Sequence, residues 1–216
     1  MVRVLLDSST DLAELAGDIV QRTSAGEVVL VPTETQYGLC CNAEDLDAIK
    51  SLNRIKRRSI DQPSALFVRD WEHASAIMKP VPDGFERFLS HFWPGALTVV
   101  AESLRPDWPG VVTSQQTIGL RCSAHPLMEH VAAVSNVYLT ATSANPHGEP
   151  PSAKPELLIK WLADDVELFI FDSNVRDHNQ ASTVVDITVG KPRFLRVGEI
   201  EASTVLAAWE KEIRGG

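Results

Sequence analysis

Four basic side chains, Arg54, Lys56, Arg57 and Arg58, fall within five positions of a chain whose formal net charge is -9. A cation cluster of that density can hold an anion such as a phosphate or a nucleic-acid backbone. Taken alone it reads as a solvated helix end, because the helix macrodipole already favours basic residues there. Two more arginines, Arg121 and Arg196, close strand-like runs, and hydroxyl residues and glycine stand just past strand-like runs at residues 32–38, at 142–148 and around Ala181-Ser182-Thr183. The set holds cations, hydroxyls and amides but no nucleophile with an obvious base. It suits chemistry in which phosphates and carboxylates are positioned and neutralised. Taken singly, Thr33 and Thr35 are turn formers, Ser143-Ala144-Asn145 is a loop or helix cap, and Arg121 is a structural ion pair. Glu44, Asp45 and Asp47 read as the acidic first turn of a helix. There is no Walker A or GxGxxG sequence. The six histidines (His73, His91, His125, His130, His147 and His178) lack metal-ligand spacing, so they read as surface or turn residues and no protein-bound metal is expected.

The elements that must carry these residues alternate between helix and strand. Ser8-Ser9-Thr10-Asp11 offers caps for a helix whose Leu12, Leu15, Ala16, Ile19 and Val20 share a face, and Gly26 ends it. Val28–Val31 predicts a buried strand closed by Pro32, and residues 33–38 a polar turn at its carboxyl end, where open α/β sheets gather ligands. A helix starting at Asn42 or Glu44 buries Leu46, Ile49, Leu52 and Ile55 and runs into the basic cluster. Strands are expected near 65–69, 96–100, 117–121, 137–140, 167–171, 183–187 and 193–196, with helices after Asp70 and near 83–92, 126–134 and 155–163. The late strands follow one another, which predicts a mixed sheet.

A chain of 216 residues with 44% hydrophobic and 23% charged content fits one soluble α/β domain spanning 1–216. Cys40, Cys41 and Cys122 form no CxxC pair and read as reduced thiols. The N-terminus lacks a signal peptide and no run approaches a membrane span, so a cytoplasmic location is expected.

Pro32-Thr33-Glu34-Thr35-Gln36-Tyr37-Gly38-Leu39 resembles the PTDTVYGL signature of the YrdC-like family. Lys56-Arg57-Arg58, the Phe92–Thr98 segment, Thr117–Arg121, Thr142–Asn145, Ser182–Asp186 and Leu195–Gly198 resemble its KxR, WPGPLT, TVAVR, SxN, STVVD and LRxG elements, in the family's order. The resemblance is to the short, single-domain form. It implies a twisted, open, mixed α/β sheet with flanking helices and a large concave, electropositive cavity. It also implies an activity that joins L-threonine, bicarbonate and ATP into threonylcarbamoyl-adenylate, with release of pyrophosphate. Mg2+ would travel on the nucleotide, and the product would serve a separate enzyme that modifies tRNA. Carried over residue by residue, Lys56 and Arg58 would be the catalytic charge clamp. Thr33, Arg121 and Ser182 would hold threonine, and Thr117, Ser143, Asn145, Ser152 and Arg196 would line ATP together with Lys56 and Arg58. The chain departs from the pattern at Ser59, Gln62 and Ser64, where Pro, Lys and Leu are usual, and at Gln36; Gln62 removes one loop cation. An alternative is a non-catalytic YrdC/YciO-like protein that binds nucleotide or RNA through Lys50, Arg54, Lys56, Arg57 and Arg58. A carbamoyl-transfer domain of the hydrogenase-maturation kind fits less well, because those domains sit in longer chains with zinc-finger-like cysteines.

Overall fold

The computed structural model of the protein describes residues 1–175, 177 and 180–214; His178 lies outside them. The chain opens with strand β1 (Val2–Leu5) and helix α1 (Leu12–Ser24). Asp11 caps α1 by accepting from the N–H groups of Ala13 and Glu14. Strands β2 (Val29–Val31) and β3 (Gly38–Cys40) then pair antiparallel across the Pro32–Tyr37 turn. Helix α2 (Leu46–Ile55) starts at the Asp45 cap. There follow β4 (Ala65–Phe67), α3 (Trp71–Ser75), α4 (Phe85–Ser90), β5 (Leu97–Glu102), β6 (Thr117–Arg121), α5 (Pro126–Val134), β7 (Leu139–Ser143), α6 (Pro155–Leu162), β8 (Leu168–Phe171), β9 (Thr183–Asp186) and β10 (Arg193–Arg196). Helix α7 (Ala202–Trp209) runs into a π-helical stretch, Glu210–Arg214.

The strands form one open sheet in the order β1-β8-β2-β3-β7-β4-β6-β5-β9-β10. β1, β8 and β2 run parallel, as do β4 with β6 and β5 with β9, and the remaining neighbours are antiparallel, so the sheet is mixed. Its first half is covered on both faces. Along β2, Val29 and Val31 join one core with Ile19, Leu127 and Ile170, while Leu30 joins the other with Phe88, Phe169 and Trp209. Each large side chain so buried contributes about 1.5–3 kcal/mol.

The second half is covered on one face only. Leu97, Val99 and Ala101 of β5 and Ile118 and Leu120 of β6 point into the core. Thr98, Val100 and Glu102 alternate with them and, with Thr117, Gly119 and Arg121, face a cavity of about 710 Å3. Small residues make the room: a Cβ on Gly119 would sit 3.0 Å from the Cβ of Ala65.

Three elements go beyond the sequence expectation. β1 is an edge strand of four residues, β3 a three-residue return across the turn, and α7 a helix anchored by buried Val205 and Trp209. β7 is displaced toward Ser143 from the expected 137–140, because β3 and β4 bond it from both sides through residues 139–143.

Candidate active site

The cluster at the end of α2 is divided by backbone geometry. Arg57 N–H bonds Arg54 O, Arg58 N–H bonds Asn53 O, and Arg57 takes φ +52. This is a Schellman ending with a non-glycine residue in the left-handed position. It sends successive side chains to opposite sides. Arg57 is exposed with its Nη1 3.9 Å from Glu149, and Arg54 is exposed and paired with Asp165. Those two keep the solvated helix-end role.

Lys56 is 3% exposed, and its Nζ donates to the Ser143 carbonyl and to Asn145 Oδ1. Burial, with help from neighbouring Arg58, lowers its pKa to about 7. Arg58 donates from Nε to Asn53 Oδ1 at 2.6 Å, from Nη1 to Thr142 Oγ1 and from Nη2 to Ser64 Oγ, and burial lowers its pKa to about 10. Neither cation itself lines the 710 Å3 cavity; their partners Ser64, Thr142 and Ser143 do. Both therefore stand one side chain behind its wall.

Thr33, Thr117, Arg121, Ser143, Ser182 and Arg196 all line that cavity. Thr33 Oγ1 receives the N–H groups of Thr35 and Gln36 and donates to Gln36 O at 2.6 Å, which fixes the turn between β2 and β3. Arg121 ends β6 and donates from Nη2 to Glu34 Oε1 at 2.8 Å and to Thr35 Oγ1 at 2.6 Å; its Nε is buried without an acceptor. Ser182 Oγ lies 2.9 Å from Thr98 Oγ1 and accepts from Arg196 Nη2 at 3.1 Å. Burial and the nearby Arg121 guanidinium lower the Arg196 pKa. Thr117 Oγ1 is 2.7 Å from Thr113 Oγ1. Asn145 lies outside the lining but contacts it through the Ser143 hydroxyl. The Ser152 hydroxyl meets Asp177 at 3.3 Å and the Lys154 N–H at 3.1 Å, and Ser152 lines a small crevice that shares Gln36 and Tyr37 with the cavity.

The residue that sequence reasoning passed over is Glu34. Burial pushes its carboxyl up, but the Arg121 guanidinium and the Ser123 hydroxyl outweigh that and hold it below the usual range. A carboxylate between two threonines just past a buried strand was the available signal. Among the described residues, Lys56, Arg58 and Arg196 have no carboxylate partner, whereas Arg121 has Glu34 and Arg193 has Asp186. Three unbalanced cations around one cavity make a site for a polyanion, beside a balanced pair that can receive a carboxylate.

A family model, Sua5/YciO/YrdC, described as telomere recombination, matches residues 21–198. A threonylcarbamoyl-AMP synthase of Bacillus subtilis is 33% identical over 183 residues, covering 84% of this chain and 52% of that protein. A Mycobacterium tuberculosis protein provisionally given the same name is 32% identical over 185 residues, covering 84% of this chain and 82% of that one. The crystal structure of Pyrococcus abyssi Sua5 complexed with L-threonine aligns with a TM-score of 0.85 at 25% identity, over 99% of this chain and 62% of that one. The chain thus spans about half of the B. subtilis protein and under two thirds of the P. abyssi protein. From the ordered motifs, the mixed open sheet and these likenesses together, the chain belongs to the Sua5/YciO/YrdC family.

Proposed function

We propose that this protein makes threonylcarbamoyl-AMP and pyrophosphate from L-threonine, bicarbonate and ATP. The observation that carries the reading is the charge pattern: just behind the cavity wall Lys56 is buried and Arg58 half-buried, with no carboxylate among the described residues to balance them. Burying an ion unpaired costs several kcal/mol, so such cations call for an anionic ligand. A triphosphate is that ligand.

Arg121 takes the threonine carboxylate, and the hydroxyls of Thr33 and Ser182 hold the rest of the amino acid. Thr117, Ser143, Asn145 and Arg196 line the nucleotide. Ser152 stands in a crevice that shares Gln36 and Tyr37 with the cavity and joins the nucleotide side in this reading. The threonine amine and bicarbonate give a carbamate and water. A carbamate oxygen then attacks the α-phosphorus, the bond to the β-phosphate bridging oxygen breaks, and pyrophosphate leaves. The nucleophile is already an anion, so the protein needs no strong base. Its work is to bring two anions together and to neutralise the leaving group with Lys56, Arg58 and Arg196. Mg2+ would arrive on the triphosphate, where it neutralises the phosphate oxygens.

The product is a reactive mixed anhydride whose threonylcarbamoyl group passes to tRNA adenosine on a separate enzyme, in the cytoplasm. No helix among the described residues is long and apolar enough to cross a membrane. The RNA-binding alternative is not favoured. Of its basic patch, Lys50, Arg54 and Arg57 are already paired with Asp47, Asp165 and Glu149, and the chain carries -9 overall.

The test is pyrophosphate release with each substrate omitted in turn. Release needs all three, and Lys56→Ala and Arg58→Ala each lose about 100-fold, since each removes charge-assisted contacts to the developing charge. Release indifferent to threonine contradicts the reading.

A further inference from the structure

The turn between β2 and β3 presents its side chains to two different spaces. Thr33 and Thr35 line the 710 Å3 cavity. Glu34, between them, lines a second cavity of about 570 Å3 with His125 and Asp172, and Thr33 borders both. From there Glu34 reaches the Arg121 fork at 2.8 Å, while its other oxygen accepts from the Ser123 hydroxyl. The two side chains are 11% and 22% exposed, so water screens the pair little. Arg196 lines the same cavity as Arg121, and among the described residues it has no carboxylate of its own. Without Glu34, Arg121 and Arg196 would be two unbalanced guanidiniums on one cavity, a charge that suits a phosphate dianion. With Glu34, that end of the cavity carries one positive charge fewer.

We propose that Glu34 is a positioning residue that sorts the two anionic substrates: by neutralising and orienting Arg121 it fits that end to a zwitterionic amino acid and leaves the triphosphate to the unbalanced cations Lys56, Arg58 and Arg196. The proposal rests on the reaction proposed above for the naming of its substrates. The charge sorting itself is a property of the empty protein. Glu34 touches neither substrate and acts through Arg121. The same arrangement guards the amino-acid end against the pyrophosphate that the reaction releases and against inorganic phosphate in the surroundings.

The experiment compares the full chain with Glu34→Gln, nearly isosteric and uncharged, and Glu34→Asp, which keeps the charge. Inorganic phosphate and L-threonine are titrated by calorimetry, alone and against each other, alongside steady-state kinetics and a thermal melt. Glu34→Gln gains about tenfold in phosphate affinity, at a site from which threonine displaces it, and loses about tenfold in threonine affinity. Its KM for ATP and its kcat at saturating threonine stay within about twofold, and Glu34→Asp recovers most of the threonine affinity. Unchanged phosphate affinity in Glu34→Gln overturns the proposal. So does an equal rise in both KM values with a lowered melting temperature, because Glu34 would then only hold the turn. A wild-type protein that turns over no threonine defeats the proposed reaction, yet the phosphate titration still decides the sorting.

Discussion

Lys56 carries its ammonium between the Ser143 carbonyl and Asn145 Oδ1, near the half-buried Arg58, and its pKa falls from 10.5 to about 7. Below pH 7 the native and unfolded states are both protonated and the native state bears the whole desolvation cost. Between about 7 and 10.5 the unfolded chain binds a proton that the native state has shed, so stability rises with pH across that window. Lys56→Met removes the dependence. At pH 6 it should stabilise the empty protein by about 1–4 kcal/mol, less what the two lost hydrogen bonds contribute, with the gap closing toward pH 10. Thermal melts from pH 6 to 10 check this; a variant less stable than wild type at pH 6 contradicts it. The same variant should lose activity, the pattern expected of a residue kept for its ligand and against stability. At this scale much of the site was legible. Lys56, Arg58, Thr33, Arg121 and Ser182 came from motif positions, and Arg54 and Arg57 were read as solvated. Glu34 was not, because a carboxylate in a turn has many uses and only the register that brings Arg121 beside it selects one.

The elements place these residues through a few close backbone approaches. The edge strand β10 carries Arg196, whose Nε donates to Ser182 O at 2.9 Å. Just beyond it, a Cβ on Gly198 would lie 2.0 Å from Ala181 O and 2.8 Å from Ser182 O. Glu199 N–H bonds Ala181 O at 2.9 Å, so the two segments cannot part without losing that bond. Gly198→Ala should therefore push β10 off the start of β9 and cost about 1–3 kcal/mol, while raising the KM for ATP through Arg196. Denaturant unfolding and steady-state kinetics read both effects; a variant with wild-type stability and KM denies the close approach. The strongly periodic elements were legible: α1, α2 and the alternating β5 and β6. β3 was hidden because Gly38-Leu39-Cys40 is too short to show a period and is held by pairing to β2 and β7. β1 and α7 were hidden because their partners, β8 and the Phe85–Phe88 cluster, are remote in sequence.

At the scale of the molecule, one half of a single sheet is a buried scaffold and the other half lends one face to a cavity. That division explains why a mixed sheet was legible from the order of elements while the cavity came only from resemblance. The period-two pattern of Thr98, Val100 and Glu102 reads equally well as a face open to solvent. What makes it a site is the distribution of charge: a net of -9 overall, with Arg196 on the cavity wall and Lys56 and Arg58 just behind it, all three without a carboxylate among the described residues. An acidic surface repels polyanions in general and admits one where the cations converge. The account's central claim is that these cations hold ATP while threonine carbamate attacks it. The most direct measurement is mass spectrometry of the product formed from 13C-bicarbonate, L-threonine and ATP by the wild-type protein and by Lys56→Met. The account predicts labelled threonylcarbamoyl-AMP from the wild type and almost none from a variant that is folded and at least as stable at neutral pH. Pyrophosphate release by the wild type with no label in any threonylcarbamoyl product, or labelled product at equal rate from the variant, would contradict it.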